Sequence, residues 1–571
     1  MTARDVQIGS AGESFLRVLA SRGVEFLFAN SGTDFPSITE ALARAQEEGF
    51  AVPKTLLVPH ENVAVCMAHG VTMITGRPQA LMVHVNVGTA NTLCGLINAS
   101  RANVPMLLAA GRTPLFESGR TGSRSRPQQW AQEMFDQAGM LREVVKWDYE
   151  LRSAAQMESV LDRALAIACS EPQGPVYLTL PREVLAEAGI APCSPTGTQN
   201  AVAEAAPDAK AIERAASILA RAHNPLIITA RAGGDTEAVP LLAVFAERFA
   251  LPVVEFRPGY VSLPNTHPMH AGYEAAPCLD GADAILVLEC DTPWVPSVKA
   301  PGADVPVIHV GSDPLYTRYP IRGFRADVSI ACPSRRALEA LTAALVRADI
   351  DPAEISRRRA RIEAAGRVRR DAVNEQVRAA RSASTMGMAW VSRALSDAIA
   401  RAGAGHAIIV NEFSLVPAAM ELSSPGSFFG PSPAGGLGWG LPAALGAKLA
   451  APERLVVAAV GDGSYTFSNP VACHHTAAMH GTPVLTVVMN NHGYGAVDLA
   501  TRSMYPQGLA VKRGIPLVSL EPVPRYDRIV EACGGYGERV EQADALPAAL
   551  DRAIRAVQEE HRQALVDVIC R

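Results

Sequence analysis

The sequence predicts an α/β protein of three doubly wound parallel-sheet domains, and three observations predict it. Apolar, β-branched runs alternate with helix-like segments over residues 10–190, again over 211–344, and again from 386 to the end. Clusters of Gly, Ser, Asn and Asp close those runs at the strand ends where parallel sheets bind ligands. The length, 571 residues, suffices for three to four ordinary domains. The boundaries read as 1–190, 205–350, a helical linker at 351–385, and 386–571.

Bulk properties narrow the function classes. A net charge of −5 leaves no overall footprint for nucleic acid, and no apolar run reaches the length of a membrane span. The first residues, MTARDVQIGSAGESF, lack an apolar signal core. Ten cysteines are scattered without a CxxC pair, which suggests neither a disulfide framework nor a zinc site. A soluble, reducing, cytoplasmic setting, with no nucleic-acid or membrane partner, is the expectation these bounds give.

Taken in order, residues 14–22 read as an amphipathic helix and 24–28 as a strand, followed by the small polar turn Asn30-Ser31-Gly32-Thr33-Asp34. A strand at 56–58 leads to Pro59-His60-Glu61-Asn62, and a helix rich in small residues runs on from Val63. Glu61 thus stands at a strand-to-helix junction, where a carboxylate also serves as a first-turn helix charge. The strand at 80–85 carries His84, a position that often holds no more than a polar rim group. A helix to about 102 and a strand at 106–110 complete another unit. Arg112, Arg120, Arg124 and Arg126 follow among Gly and Ser; such runs are solvated loops or, alternatively, a mobile anion-binding loop.

Residues 183–207 read as a Pro/Ala/Thr-rich linker. Strands at 225–229, 284–288 and 305–310 build the second domain. No GxGxxG opens it, so it reads as a structural spacer rather than a nucleotide site. Residues 352–382, with interleaved Arg and Glu and no aromatics, read as a solvated connecting helix. In the third domain a strand at 407–410 precedes the glycine-rich GPSPAGGLGWGLPAALGAKLA, whose plainest meaning is a tight helix–helix contact.

One stretch organises the rest. A strand at 455–460 turns at Gly461-Asp462-Gly463, a helix follows at 470–479, and a strand at 484–489 ends at Asn490-Asn491. GDG and NN are each ordinary turn pairs. Together they set a carboxylate and an amide at two strand ends, and hard oxygens of that kind suit Mg2+ holding a diphosphate.

Joined in this way, the two turns closely resemble the diphosphate motif of thiamine diphosphate enzymes. The resemblance implies Mg2+ ligands at Asp462, Asn491 and the carbonyl of Gly493, with Gly461, Gly463 and Ser464 beside the diphosphate. HENVAVCMAHGVTMITGRP resembles the segment carrying that family's activating glutamate. By that match the Glu61 carboxyl meets the aminopyrimidine nitrogen N1′ and promotes loss of the thiazolium C2 proton. VHVNVGTANTLCGLINA resembles the active-site segment of benzoylformate decarboxylase and its 2-oxoacid decarboxylase relatives, which implies a catalytic His84. Thr33 falls where that enzyme has a serine meeting the substrate carboxylate, and Gln132 resembles a glutamine of the acetolactate synthase branch. The glycine-rich segment implies that the Gly435 carbonyl accepts the 4′-amino group and that Leu437 wedges the cofactor into its bent shape. Residues 494–500 would line the substrate pocket, small and apolar at Ala496, Val497 and Ala500. His474 and His475 diverge around a helix and read as packing.

The resemblance implies a pyrimidine, a central and a diphosphate domain. It also implies thiamine diphosphate and Mg2+ as cofactors and a homodimer at minimum, extending to a homotetramer. The expected reaction is non-oxidative decarboxylation of a 2-oxo acid through a C2 ylid and an enamine. A second histidine known from benzoylformate decarboxylase has no match near Cys290-Asp291-Thr292-Pro293-Trp294. That leaves open a carboligase of acetolactate synthase type, a lyase of 2-hydroxyacyl-CoA lyase or oxalyl-CoA decarboxylase type, or a cofactor binder without turnover.

Overall fold

The computed structural model of the chain describes residues 9–188, 194 and 196–571. The chain divides into two compact units. The first comprises Met1–Ala203, Ser432–Glu453 and Ser464–Pro483; the second comprises Glu204–Pro431, Arg454–Gly463 and Val484–Arg571.

The first unit is built on a six-stranded sheet of β1 (Phe26–Ala29), β2 (Lys54–Leu57), β3 (Gln79–Val83), β4 (Met106–Arg112), β5 (Asp148–Glu150) and β6 (Pro175–Pro181). The strand order is β2-β1-β3-β4-β6-β5, and every pairing is parallel. β1, β3 and β6 are buried along their whole length, as strands covered on both faces must be, which is why they read as unbroken apolar runs. The order reverses between β1 and β3, so their carboxyl ends form the crevice where doubly wound sheets bind ligands.

The helix Glu61–Thr75 follows β2 and buries every residue from Asn62 to Thr72. The helix Gly440–Ala450 lies against it in the same unit. Gly70 and Gly446 set the spacing. A Cβ on Gly70 would sit 2.0 Å from the Ala443 carbonyl oxygen, and one on Gly446 would sit 2.0 Å from that of Met67. The small-residue pattern in both segments is therefore a backbone-to-backbone contact.

The second unit holds two parallel sheets. One contains β7 (Pro225–Thr229), β8 (Val253–Glu255), β9 (Ala284–Leu288), β10 (Val307–Gly311) and β11 (Val328–Ala331), in the order β11-β10-β9-β7-β8. The other contains β12 (Ile408–Glu412), β13 (Phe428–Phe429), β14 (Val456–Gly461), β15 (Leu485–Asn490), β16 (Tyr536–Val540) and β17 (Ala564–Ile569), in the order β13-β12-β14-β15-β17-β16. The helix Pro352–Ser382 connects them along the chain, over the span expected. Its Arg358 is wholly buried and bonds to the Phe249, Leu219 and Ala222 carbonyls, so this helix is more than solvated.

Some local readings change. The expected linker at 183–207 lies partly outside the described residues; Arg182–Leu185 is helical, and a new helix starts at Ala209. The segment after His84 is two helices, Val85–Asn91 and Leu93–Arg101, rather than one. A helix starts at Asp462 itself, where a glycine turn was expected. Neither Gly461 nor Gly463 has a positive φ. Gly463 instead makes room for an aromatic ring, since a Cβ there would lie 3.0 Å from the Tyr494 ring.

Candidate functional site

In the first unit, the turn after β1 and the end of β3 meet at the switch point. Asp34 is buried, and its Oδ1 lies 2.6 Å from His84 Nδ1. Its Oδ2 accepts the Val85 backbone N–H at 3.1 Å, so one carboxylate holds both the imidazole and the backbone beside it. The hydrogen bond from Asp34 raises the His84 pKa above the usual imidazole value; burial opposes this, and the charges of Asp34 and Glu61 add to it. Gly32 lies under the ring, and a Cβ there would come within 2.2 Å of it. Val85 has a φ of 32°, a left-handed conformation that a β-branched residue pays for with about 1–3 kcal/mol. Strain of that size persists where surrounding bonds over-determine the backbone, as Asp34 does here.

Thr33, Asp34 and His84 line one small cavity together with Arg112, Gln132 and Arg182. Glu61 is half-buried at the first turn of its helix, with His60 as N-cap. Its Oε2 accepts from Asn91 Nδ2 at 3.0 Å. Asn91 and Asp34 were not singled out in the sequence, because an Asp in a turn and an Asn in a helix carry no signal until the fold sets them beside Glu61 and His84.

The arginine segment is not a free anion-binding loop. Arg112 pairs with Glu133 at 2.8 Å and also with Glu150. Arg124 pairs with Glu133 at 2.7 Å, donates to the Pro114 carbonyl and lies over the Trp130 ring. Two of the four guanidinium groups are thus paired with carboxylates, although the buried Arg112 Nε has no hydrogen bond, while Arg120 and Arg126 are exposed.

Gly435, Leu437 and Ser464 also belong to this unit. Gly435 has a φ of 65°, and its neighbour Gly436 is clamped by Asn98: Nδ2 donates to the Gly436 carbonyl at 2.7 Å, and Oδ1 accepts the Gly436 N–H at 3.0 Å. The Ser432 hydroxyl donates to the Asn98 carbonyl at 2.9 Å. Asn98 is thus the anchor of the glycine-rich loop, a role invisible in a helical stretch of sequence. His474, in the helix Pro470–His480, is buried and shares a hydrogen bond with the Tyr465 hydroxyl at 2.9 Å.

In the second unit, Gly461, Asp462 and Gly463 follow β14, and Asn491 and Gly493 follow β15. Asp462 is buried, and Gly463 donates its N–H to Oδ1 at 2.9 Å. The Gly493 N–H is shared: Asp462 Oδ2 accepts it at 3.0 Å and Asn491 Oδ1 at 3.2 Å. Burial raises the Asp462 pKa against the pull of those two amides. Asp462 and Asn491 therefore turn side-chain oxygens toward one amide, and hard oxygens of that kind suit a divalent cation, while the Gly493 carbonyl accepts the Gly495 N–H at 3.0 Å. Among the described residues no group of three His, Cys, Asp or Glu side chains could hold a metal. The set here has one carboxylate, with an amide oxygen and the Gly493 carbonyl as companions. The segment expected to line a substrate pocket is the helix Gly495–Met504, which has no buried residue; Leu499 is 70% exposed.

No helix among the described residues is long and apolar enough to cross a membrane. Among them every cysteine is free.

Comparison with known proteins converges on one family. Residues 10–140 match the N-terminal TPP binding domain of thiamine pyrophosphate enzymes, 212–341 the central domain, and 413–568 the C-terminal TPP binding domain. A sulfoacetaldehyde acetyltransferase of Rhodobacter capsulatus is 27% identical over 98% of this chain and 93% of its own. A benzoylformate decarboxylase of Pseudomonas aeruginosa is 27% identical over 84% and 85%. The crystallised 4-hydroxybenzoylformate decarboxylase of Rhodococcus jostii shares the fold, with a TM-score of 0.76 and 24% identity over 98% and 99%. The relatives as a group are decarboxylases, carboligases and lyases.

Proposed function

From the premise that this chain belongs to the thiamine pyrophosphate enzymes, with all three of their domains, we propose that it decarboxylates a 2-oxo acid, using Mg2+ to hold the cofactor. The Asp34–His84 pair carries this reading. When bound, the cofactor supplies a carbon nucleophile and an electron sink for the broken carbon–carbon bond. The carbon that loses carbon dioxide must then gain a proton. An imidazole held by a buried carboxylate keeps its proton to higher pH than a free one and can deliver it from Nε2, because Asp34 occupies Nδ1.

The remaining roles follow from position. Thr33, lining the same cavity as His84, donates its hydroxyl to the substrate carboxylate, and Arg182 and Gln132 add donors there. Glu61, steadied by Asn91, holds a proton at the aminopyrimidine ring. Gly435 and Leu437, on the loop that Asn98 clamps, would help to hold the cofactor. Asp462, Asn491 and the Gly493 carbonyl hold Mg2+, with Gly461, Gly463 and Ser464 beside the diphosphate. The active assembly is a homodimer at least, and a homotetramer as the full form, with Glu61 and Asp462 of one site supplied by different subunits.

Carbon–carbon ligation or lysis is the second reading. It is favoured by Cys290 and Trp294, both buried, at the segment where a second histidine would stand, and by similarity to an acetyltransferase. Benzoylformate and pyruvate, each supplied with thiamine diphosphate and Mg2+, separate the two readings. Decarboxylation yields aldehyde without an acceptor. Product that forms only when an acceptor aldehyde or thioester is added supports ligation and overturns the first reading.

A further inference from the structure

A cavity of about 490 Å³ lies in the second unit and shares no residue with the sites above. That volume falls among small-molecule sites, which span roughly 300–1,000 Å³. Three elements enclose it: the loop around Asn265–Tyr273, the helix Pro352–Ser382, and the helix Met388–Arg401 with the segment after it. The loop is held in place by Asn265, which donates to the Met420 carbonyl at 2.8 Å and accepts the Leu422 N–H at 3.1 Å.

Val373, Ile399, Met420 and Leu422 give its lining an apolar wall, and Arg369, Arg370 and Arg393 stand among its polar groups. Most arginines of this protein find a carboxylate, but these three do not. Arg369 donates to the His270 carbonyl and Arg393 to that of Ala419, and Arg370 bonds to nothing among the described residues. Asp397 and Glu421 also line the space, yet both are exposed and neither reaches an arginine within ion-pair distance. The Tyr273 hydroxyl is buried at the cavity wall, with the Asn265 side chain beside it. Half-burial also disfavours the Arg369 charge, which only an anion would offset.

We infer that this cavity is a second small-molecule site, for an organic anion with an apolar body and one carboxylate or phosphate head. The guanidinium groups and the Tyr273 hydroxyl take the head, and the aliphatic wall takes the body. The inference is independent of the reaction catalysed.

Calorimetric titration of the full-length protein, loaded with thiamine diphosphate and Mg2+, tests it. Benzoate and phenyl phosphate are the probes, and neutral benzamide is the control. One or both anions should bind at one such site per chain, at least tenfold more tightly than benzamide; which of them binds identifies the head group. Arg370→Gln alters an exposed, unbonded side chain, and Tyr273→Phe removes one hydroxyl and keeps the ring, so both variants should fold. Each should weaken this binding about three- to tenfold and leave turnover unchanged. Binding of benzamide as tight as that of the anions, no anion binding, or full-strength binding in both variants would overturn the proposal. Loss of turnover in a panel of 2-oxo acids bears on the decarboxylase reading alone.

Discussion

At the residue scale, Asp34 decides what His84 can do. Asp34→Asn removes the charge and keeps the shape, so the imidazole loses its reason to stay protonated. Because the His84 pKa is raised in the folded chain, the protonated form dominates at low pH and is lost as pH rises through that value. The alkaline limb of the kcat profile should therefore move to lower pH in Asp34→Asn, with the rate at neutral pH falling roughly 10–100-fold. An unmoved limb would dismiss His84 as the acid. Gly32→Ala should mimic this loss with little unfolding, because a Cβ at 2.2 Å displaces the ring. Asp462→Ala should release thiamine diphosphate and Mg2+ on gel filtration, measured by cofactor absorbance and metal analysis. Much of the proposed site is read from residue types that follow strands: Thr33, Glu61, His84, Asp462 and Asn491 each come shortly after one. Asp34, Asn91 and Asn98 were not readable, since their significance lies in contacts with residues far away in sequence.

At the element scale, the contact between helices Glu61–Thr75 and Gly440–Ala450 depends on two missing side chains. Gly446→Val should destabilise the fold by at least about 2–3 kcal/mol, read as a lower denaturant midpoint, because the clash is with backbone that cannot swing away. β17 stores an opposite opportunity. Asp567 is fully buried; its Oδ1 accepts from Asn490 at 2.9 Å, its Oδ2 has no hydrogen bond and only a long ion pair with Arg539 at 3.9 Å, and burial pushes its pKa up to about 6. A carboxyl so raised costs the folded state stability as pH climbs through about 6, and costs nothing where it is protonated in both states. Asp567→Asn should raise the melting temperature at pH 8, by the equivalent of up to about 3 kcal/mol, and leave it nearly unchanged at pH 4; equal shifts at both would refute the cause. Long buried strands and the helix Pro352–Ser382 were legible because apolar runs and charge spacing are local. The three-residue β8 and the half-exposed β11 were missed, because so short a stretch carries no period, and the helix at Asp462 was hidden behind two glycines.

At the scale of the whole molecule, Glu61 belongs to the first compact unit and Asp462 to the second. The proposed sharing of one cofactor between subunits can be checked by mixing. Glu61→Ala and Asp462→Ala chains should each be inactive. Unfolded and refolded together, they should regain about a quarter of wild-type activity, since half the dimers are hybrids and each hybrid has one intact site. No recovery would mean that both groups act within one chain. The route of the backbone has its own consequence. The first unit draws on three separate stretches of sequence, and the second fills the gaps between them. No single cut in the gene can release both halves whole, and a graft that swaps one half for that of a relative has to exchange several stretches together or it will mix incompatible pieces.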